Sequence, residues 1–505
     1  MNRSFWLPFA ICVSGLLAGC SGGGGGNNGG GGGTQLAPPH FSVTTPQDAT
    51  VGASFSFTVT ALDASNAVAT SYAGTVHFTS TDSQAVLPAN SMLTNGAGTF
   101  SATLKTTGSQ TITATDTITL TITGVSNAIQ VSSAAPAGTF TATGSMEFPR
   151  AGHTATLLQN GTVLITGGED TTGPLASAEI FNPATGMFTA TGSMGTARVG
   201  HTATLLTDGT VLVTGGNDAT AALATAEVFN PSSGSFTPTT SSMETARVGH
   251  TATLLNDGSG RVLVAGGGSA PAVLFGPVAD TGTASAELFD PKSGQFTPAG
   301  NSMLASRIYH AASLLPNGEV LIAGGVTNTN GTALGDLFSP ATATFTATST
   351  GGTNAFHLAA AMLEDGRVLL TGGEVLAAPC GLVGNWVSIA NALFFDSSNA
   401  SFTGNGGLSA SRVSHTATLL TRGEVLIAGG ATSNTVCNRG SGTSTFQSVA
   451  TAELFNPPSG TFALTGNMST ARAAHTATLL GNGKVLVVGG VDANGNALAS
   501  AELFQ

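Results

Sequence analysis

A sevenfold repeat restricts this chain more than any other feature. Histidines within a short recurring frame fall at 153, 201, 250, 310, 357, 415 and 475. A Gly-Gly doublet follows each, at 167–168, 215–216, 266–267, 324–325, 372–373, 429–430 and 489–490. A period near 50 residues means that each copy is one supersecondary unit. Such a unit cannot bury its apolar surface alone, so neighbouring copies must stack. Within a copy, "HTATLL" and "TVLVTGG" are joined through Asn-Gly or Asp-Gly, the signal of a tight antiparallel hairpin. "AEVFN" and "SFTPT" are joined by a Pro-x-x-Gly turn. Four antiparallel strands, repeated seven times, predict an all-β fold with a seven-bladed β-propeller over residues 138–505.

The repeat is out of phase with the chain. The last copy stops at "AELFQ", Ala501 to Gln505, one strand short, and an orphan strand "GTFTATGSM", Gly138 to Met146, precedes the first copy. The orphan is expected to complete the last blade, which closes the circle and removes exposed strand edges.

Residues 39–134 follow a different pattern. "SFSFTVTALD", "GTVHFTST", "GTFSATLKT" and "SQTITATDT" alternate polar and apolar residues with period two, which predicts an antiparallel sandwich. Before it, "MNRSFWLPFAICVSGLLAGC" has Arg3, an apolar run from Phe5 to Val13 and small residues ahead of Cys20. This is the layout of an export signal over residues 1–20. Residues 21–38 open with "SGGGGGNNGGGGG", a composition with nothing to bury, and are expected to be a flexible tether. Only 8% of residues are charged, and 14 Lys and Arg stand against 26 Asp and Glu. Surface helices need more charge than this. A nucleic-acid partner needs clustered cations, so none is expected.

Several stretches resemble known families. "LAGC", Leu17 to Cys20, resembles the lipobox of bacterial lipoproteins. That resemblance implies an acylated Cys20 as the mature N-terminus, and Ser21 after it implies transfer to the outer membrane. The chain would then sit in the cell envelope, touching the membrane through its lipid only. Residues 39–134 resemble bacterial immunoglobulin-like domains. The Gly-Gly doublet, the "R-x-G-H" frame and the aromatic on the third strand resemble the kelch repeat, although Phe181 and Phe188 stand where Tyr or Trp is common. "RIYHAASLLPNGEV", Arg307 to Val320, resembles the propeller of galactose oxidase and its copper-radical relatives, which implies Tyr309 and His310 as copper ligands. That family also needs a second histidine and a second tyrosine cross-linked to cysteine. The other tyrosine here is Tyr72, in the sandwich. The radical cannot be built, so no catalytic residue, metal or cofactor is assigned.

Arg150, Arg198, Arg247, Arg307, Arg412 and Arg472 each lie three residues before a histidine, and Glu179, Glu227, Glu287, Glu453 and Glu502 recur on the third strand. Residues present in nearly every blade are expected to be scaffold, and with them His153, His201, His250, His415 and His475. In this reading Gly152, Gly200, Gly249, Phe356, Ser414 and Ala474 occupy the Tyr309 position of the other repeats. Function is expected where symmetry breaks. Long loops at 268–284, 374–391 and 431–450 share one face with the histidine frames. The candidate ligand face comprises Tyr309, His310, Trp386 and Arg439. Cys12 leaves with the signal and Cys20 takes the lipid. Cys380 and Cys437 remain, each seven residues after a doublet in adjacent blades, and are expected to pair in an exported protein.

These features point to an exported, lipid-anchored protein that binds a protein or a glycan. Alternatives are a degenerate enzyme of the galactose oxidase type and a purely structural envelope component. The lipobox is directly testable: Cys20→Ser is expected to release the protein from membranes, measured by detergent partitioning. An unchanged distribution would contradict the anchor.

Overall fold

The structure is a computed structural model that describes residues 39–132, 138–269, 282–325, 335–348, 352–377, 385–438 and 441–505. Cys20 and its tether, Cys380, Arg439 and most of the 268–284 loop lie outside the described residues. The described residues are strands and turns with no helix. They divide into two compact units. One takes the described residues up to Gln47 with Ser56–Ala102 and Ser109–Ile129. The other takes Asp48–Phe55, Thr103–Gly108 and Gln130–Gln505.

In the first unit, strands His40–Thr44, Ser54–Leu62 and Ala97–Thr103 form one sheet. Thr75–Ser80, Ser91–Met92, Ile112–Asp116 and Thr123–Val125 form a second. Phe57 and Phe100 from the first sheet meet Phe78 from the second, with ring centroids 4.8 to 5.7 Å apart. Their period-two spacing puts these rings on inward faces, so the two sheets pack as a sandwich.

The second unit is a β-propeller of seven four-stranded antiparallel sheets among the described residues. Blade 1 runs Thr154–Leu157, Val163–Thr166, Ala178–Asn182 and Met187–Ala190, and blades 2 to 7 repeat this order. The first strand of each blade neighbours the first strands of the blades on either side, and blade 7 (Thr476–Leu479) meets blade 1 (Thr154–Leu157). First strands therefore line the axis.

Second strands are buried along their whole length, as in "VLIT", Val163–Thr166. Val163 and Ile165 face blade 7 in a cluster with Leu486 and Val488, while Leu164 faces blade 2 with Val211 and Val213. Side chains alternate between the two faces, and a blade stacked on both sides must be apolar on both. This is why the second strand reads as an unbroken apolar run. Each blade also carries a cross-strand Phe pair between its third and fourth strands, such as Phe181–Phe188 at 4.9 Å.

The N-terminal strand closes the ring. Phe140–Ala142 pairs antiparallel with Ala501–Phe504, Phe140 opposite Phe504, and the two rings stand 4.9 Å apart. Blade 7 thus obtains its Phe pair from the two ends of the propeller. Deleting residues 138–146 removes that strand and buried Met146. The deletion is expected to lower the propeller's melting temperature by at least 5 °C in differential scanning calorimetry. Unchanged melting would show that the strand contributes nothing to closure.

Candidate functional site

The repeated charged residues form the frame on which a site is built. In six blades a fully buried arginine pairs with a carboxylate on the third strand, with N–O distances of 2.8 to 2.9 Å: Arg150–Glu179, Arg198–Glu227, Arg247–Glu287, Arg307–Asp336, Arg412–Glu453 and Arg472–Glu502. Blade 4 uses Asp336 where the other five use a glutamate. Each guanidinium also donates to the carbonyl of the first glycine in its doublet, as Arg150 Nη1 does to Gly167 at 2.7 Å. The second carboxylate oxygen of Glu179 accepts from the Glu147 amide at 2.9 Å. Burial draws the Arg150 guanidinium below its ordinary pKa, and Glu179 offsets this. These pairs are tied into the loops as scaffold.

The histidines tie blade to blade. His201 Nε2 hydrogen-bonds Thr154 Oγ1 of the preceding blade at 3.0 Å, His250 reaches Thr202 at 3.0 Å, His310 reaches Thr251 at 2.9 Å and His475 reaches Thr416 at 3.1 Å. His153 closes the circle on Thr476 at 3.0 Å. Burial, then the nearby arginines, pulls His201, His250, His310 and His475 down to about 3, and His153 and His415 well below their ordinary value. All six are neutral imidazoles at physiological pH. His310, expected on the ligand face, belongs to this ring.

Two rings of backbone hydrogen bonds define the channel mouth. The amides of Gly152, Gly200, Gly249, Tyr309, His357, Ser414 and Ala474 each donate to the carbonyl of the same position in the preceding blade, at 2.8 to 3.3 Å. All seven residues have left-handed backbone, with φ between 51° and 65°. Glycine adopts this without strain, whereas a β-carbon makes it costly and uncommon. Tyr309 and His357 hold it because the ring around them fixes the backbone. In the second ring, the second glycine of each doublet donates to the carbonyl at the arginine position of the next blade, as Gly168 does to Arg198 at 2.9 Å and Gly325 to Ala355 at 2.8 Å.

Both rings correct the sequence reading of blade 5. His357 is not a member of the histidine series but the counterpart of Tyr309. Leu358 takes the histidine place, Ala355 the arginine place and Leu393 the carboxylate place, since Thr371 pairs with Ala392 as Thr166 pairs with Ala178. Phe356, assigned above to the Tyr309 position, lies one residue earlier and is fully buried. The exchange is coordinated: Leu358 packs in one apolar cluster with Ala311, which occupies the threonine position of blade 4. A signal existed in the spacing. Histidine precedes its doublet by 14 residues in blades 1, 2, 4, 6 and 7, but His357 precedes Gly372 by 15.

The consequence is a local polar cluster. His357 stacks on Tyr309 with ring centroids 4.1 Å apart, and its Nδ1 lies 3.1 Å from Oε1 of fully buried Glu374. A carboxylate can only accept, so in the neutral ring Nδ1 carries the proton and Nε2 keeps its lone pair. On the other side Trp386, half-buried, meets Phe356 edge-on at 4.7 Å. A cavity of about 260 Å³ opens at this mouth, lined on one side by Tyr309, His357 and Ser414 and on the other by Gly152, Gly200 and Ala474. His153, His415 and His475 also border it; His310 does not.

Trp386 belongs to a β-hairpin, Glu374–Ala377 with Asn385–Ser388, and the 431–450 loop forms another, Ala431–Asn438 with Ser441–Ser448. Ser388 and Ser433 join them by reciprocal amide-to-hydroxyl bonds of 2.6 and 2.9 Å. Cys437 lies opposite Gly442 in the second hairpin. The proposed partner Cys380 is outside the described residues.

The copper arrangement implied by the resemblance does not fit. Its histidine, His310, is locked to Thr251 in the scaffold. Among the described residues no cluster of three or more His, Cys, Asp or Glu could hold a metal ion. No protein-family model matches the chain, and no curated protein matches it. Among solved structures, the chain is similar to a novel fungal alcohol oxidase with catalytic diversity among the AA5 family, in complex with copper. The TM-score is 0.55 at 18% identity, over 73% of this chain and 76% of that one. It also aligns with YjhT, with a TM-score of 0.44 at 17% identity, over 71% of this chain and 96% of that one. The likeness to the oxidase extends to the propeller fold alone.

The histidine ring sets an acid limit. A group whose folded pKa is depressed contributes stability above its unfolded value, near 6.5, and loses it as pH falls toward the folded value. Each imidazole is expected to cost up to about 1.4 kcal/mol per pH unit below about 6.5. Melting temperature should therefore fall steadily between pH 6.5 and 4, followed by circular dichroism. A flat profile would mean that these imidazoles are not held neutral.

Proposed function

We propose that this chain is an exported, lipid-anchored binding protein whose propeller presents the channel mouth to a carbohydrate ligand. The observation that carries this reading is the single break in the sevenfold ring, where Tyr309, His357 and Glu374 come together beside a cavity. Six blades keep their repeat arginines buried and paired, so among the described residues none of these guanidiniums reaches the mouth to favour an anion. The histidines of the ring are neutral. What the mouth offers is an aromatic face on Tyr309, an imidazole nitrogen able to accept a hydrogen bond and the hydroxyl of Ser414. Apolar ring faces with a few fixed polar atoms suit a sugar, whose own surface alternates C–H patches and hydroxyls. A volume of about 260 Å³ falls just below the usual range for small-molecule sites, roughly 300–1,000 Å³. It would take one sugar residue, with any further residues running out over the hairpins of blades 5 and 6.

The role of Glu374 is to orient. With Nδ1 held, His357 cannot turn its ring without breaking its hydrogen bond to buried Glu374, at a cost of about 1–3 kcal/mol. The lone pair on Nε2 is thereby kept in one direction for a ligand hydroxyl.

A glycan array followed by calorimetry on the best ligand tests this reading. His357→Ala and Tyr309→Ala should each weaken binding at least tenfold, while His310→Gln should lower stability and leave the affinity of the folded fraction unchanged. Binding that survives both mouth substitutions would place the ligand elsewhere.

A further inference from the structure

Three exposed apolar side chains gather at one end of the four-stranded sheet in the N-terminal sandwich. Strand Thr75–Ser80 starts at this end, and Met92 pairs with Thr75 there. Strand Ile112–Asp116 ends there, and Thr123–Val125 begins one turn later. The turn between the last two strands, residues 117–122, reads TITLTI and carries no charge. Ile118 is 90% exposed, Leu120 70% and Met92 65%. The Thr117 amide donates to the Thr75 carbonyl at 2.9 Å, which ties the turn to the strand that Met92 pairs with. Single apolar residues scattered over a surface are ordinary; three at one sheet end form a patch.

The turn is braced rather than frayed. Asp116, nearly buried, accepts from the Ile118 amide at 2.8 Å and the Thr119 amide at 2.6 Å through one oxygen, and from the Tyr72 hydroxyl through the other. The Tyr72 ring stands edge-on to Phe41 at 5.5 Å, and the Ile122 amide closes the turn on the Thr119 carbonyl at 2.8 Å. A carboxylate that commits both oxygens holds the backbone of this tip in one shape, and in that shape Ile118 and Leu120 face solvent.

The entering chain arrives at the same place. Phe41 lies so close to Gly124 that a β-carbon on the glycine would stand 2.0 Å from the Phe41 carbonyl oxygen. The strand that begins at His40 therefore runs beside Thr123–Val125, next to the turn. Upstream, the 18 residues 21–38 lie between Cys20 and this strand.

We propose that Met92, Ile118 and Leu120 form a membrane-contact tip that rests in the interfacial region of the bilayer holding the Cys20 lipid. The proposal rests on the lipid-anchored reading. Its chemistry is that of an uncharged apolar wedge, so it takes a lipid surface without requiring anionic headgroups. The tip adds a second attachment to the lipid, and two attachments fix the orientation of the sandwich where one leaves it free to swivel.

Ile118→Trp in a Trp386→Phe background gives a local reporter in lipidated protein reconstituted into phosphatidylcholine vesicles with brominated acyl chains. Blue-shifted emission and quenching of at least about twofold are expected, relative to the same protein in detergent-free buffer after Cys20→Ser. Adding Leu120→Ser and Met92→Ser should abolish most of the quenching while the protein stays in the vesicle fraction. Unquenched emission from vesicle-bound protein would overturn the tip and leave the anchor standing. Cys20→Ser protein that remains membrane-bound as before would refute the anchor instead. Sedimentation that shows a dimer dissociated by Leu120→Ser would also overturn the proposal, by making the patch a contact between copies.

Discussion

Buried guanidinium–carboxylate pairs are the interaction on which the propeller's mouth depends. A charge taken out of water is costly unless it is paired and its remaining hydrogen-bond sites are filled, and removing one partner typically costs 3–5 kcal/mol. Here each arginine directs its Nη donors at a carboxylate and at the first glycine carbonyl of its doublet, and each carboxylate accepts from a loop amide. Nε of Arg150, Arg198, Arg247, Arg412 and Arg472 stays buried without a hydrogen bond among the described residues. Three segments distant in sequence are thereby fixed to one another in each of six blades. With so few charged residues in the chain, most of its arginines are committed to this frame. The frame in turn holds the backbone rings, and the rings hold Tyr309 and His357 in a conformation that side chains with a β-carbon seldom adopt.

Blade 5 shows how a symmetric scaffold acquires an asymmetric site. Losing one arginine alone would strand a buried carboxylate, and losing one ring histidine would strand a threonine. The changes at Ala355, Leu393, Leu358 and Ala311 occur together, so no partner is left behind, and apolar packing replaces the polar ties. His357 and Glu374 then supply polarity at the mouth itself. His415, whose usual threonine partner position is Ala359, bonds Thr371 instead at 2.9 Å. The neighbouring blade therefore keeps its tie through a different residue.

Tyr309 was visible in the sequence because it is rare, and the scaffold role of the arginines followed from their repetition. Ser414 was legible from its place in the repeat, but Glu374 was not. No repeated residue marks it, and what sets it against His357 is the backbone bridge between Phe356 and Glu374 within blade 5. His357 was visible but misplaced by one position, because a histidine in a histidine series looks like a member of it. Its spacing of 15 to the doublet, and the Asn354 standing where an arginine was due, were the available warnings. The long loops were legible as departures from symmetry; that two of them are hairpins joined through Ser388 and Ser433 was not.

The sequence by itself determined the repeat, four strands to a blade, the apolar second strand and the borrowed closing strand. Each of these depends on residues close in sequence or on a period that any copy reveals. Tertiary structure alone decided which residue of each copy faces the channel. A shift of one residue moves a side chain from the ring of buried histidines to the open mouth, and only hydrogen bonds between blades fix that register.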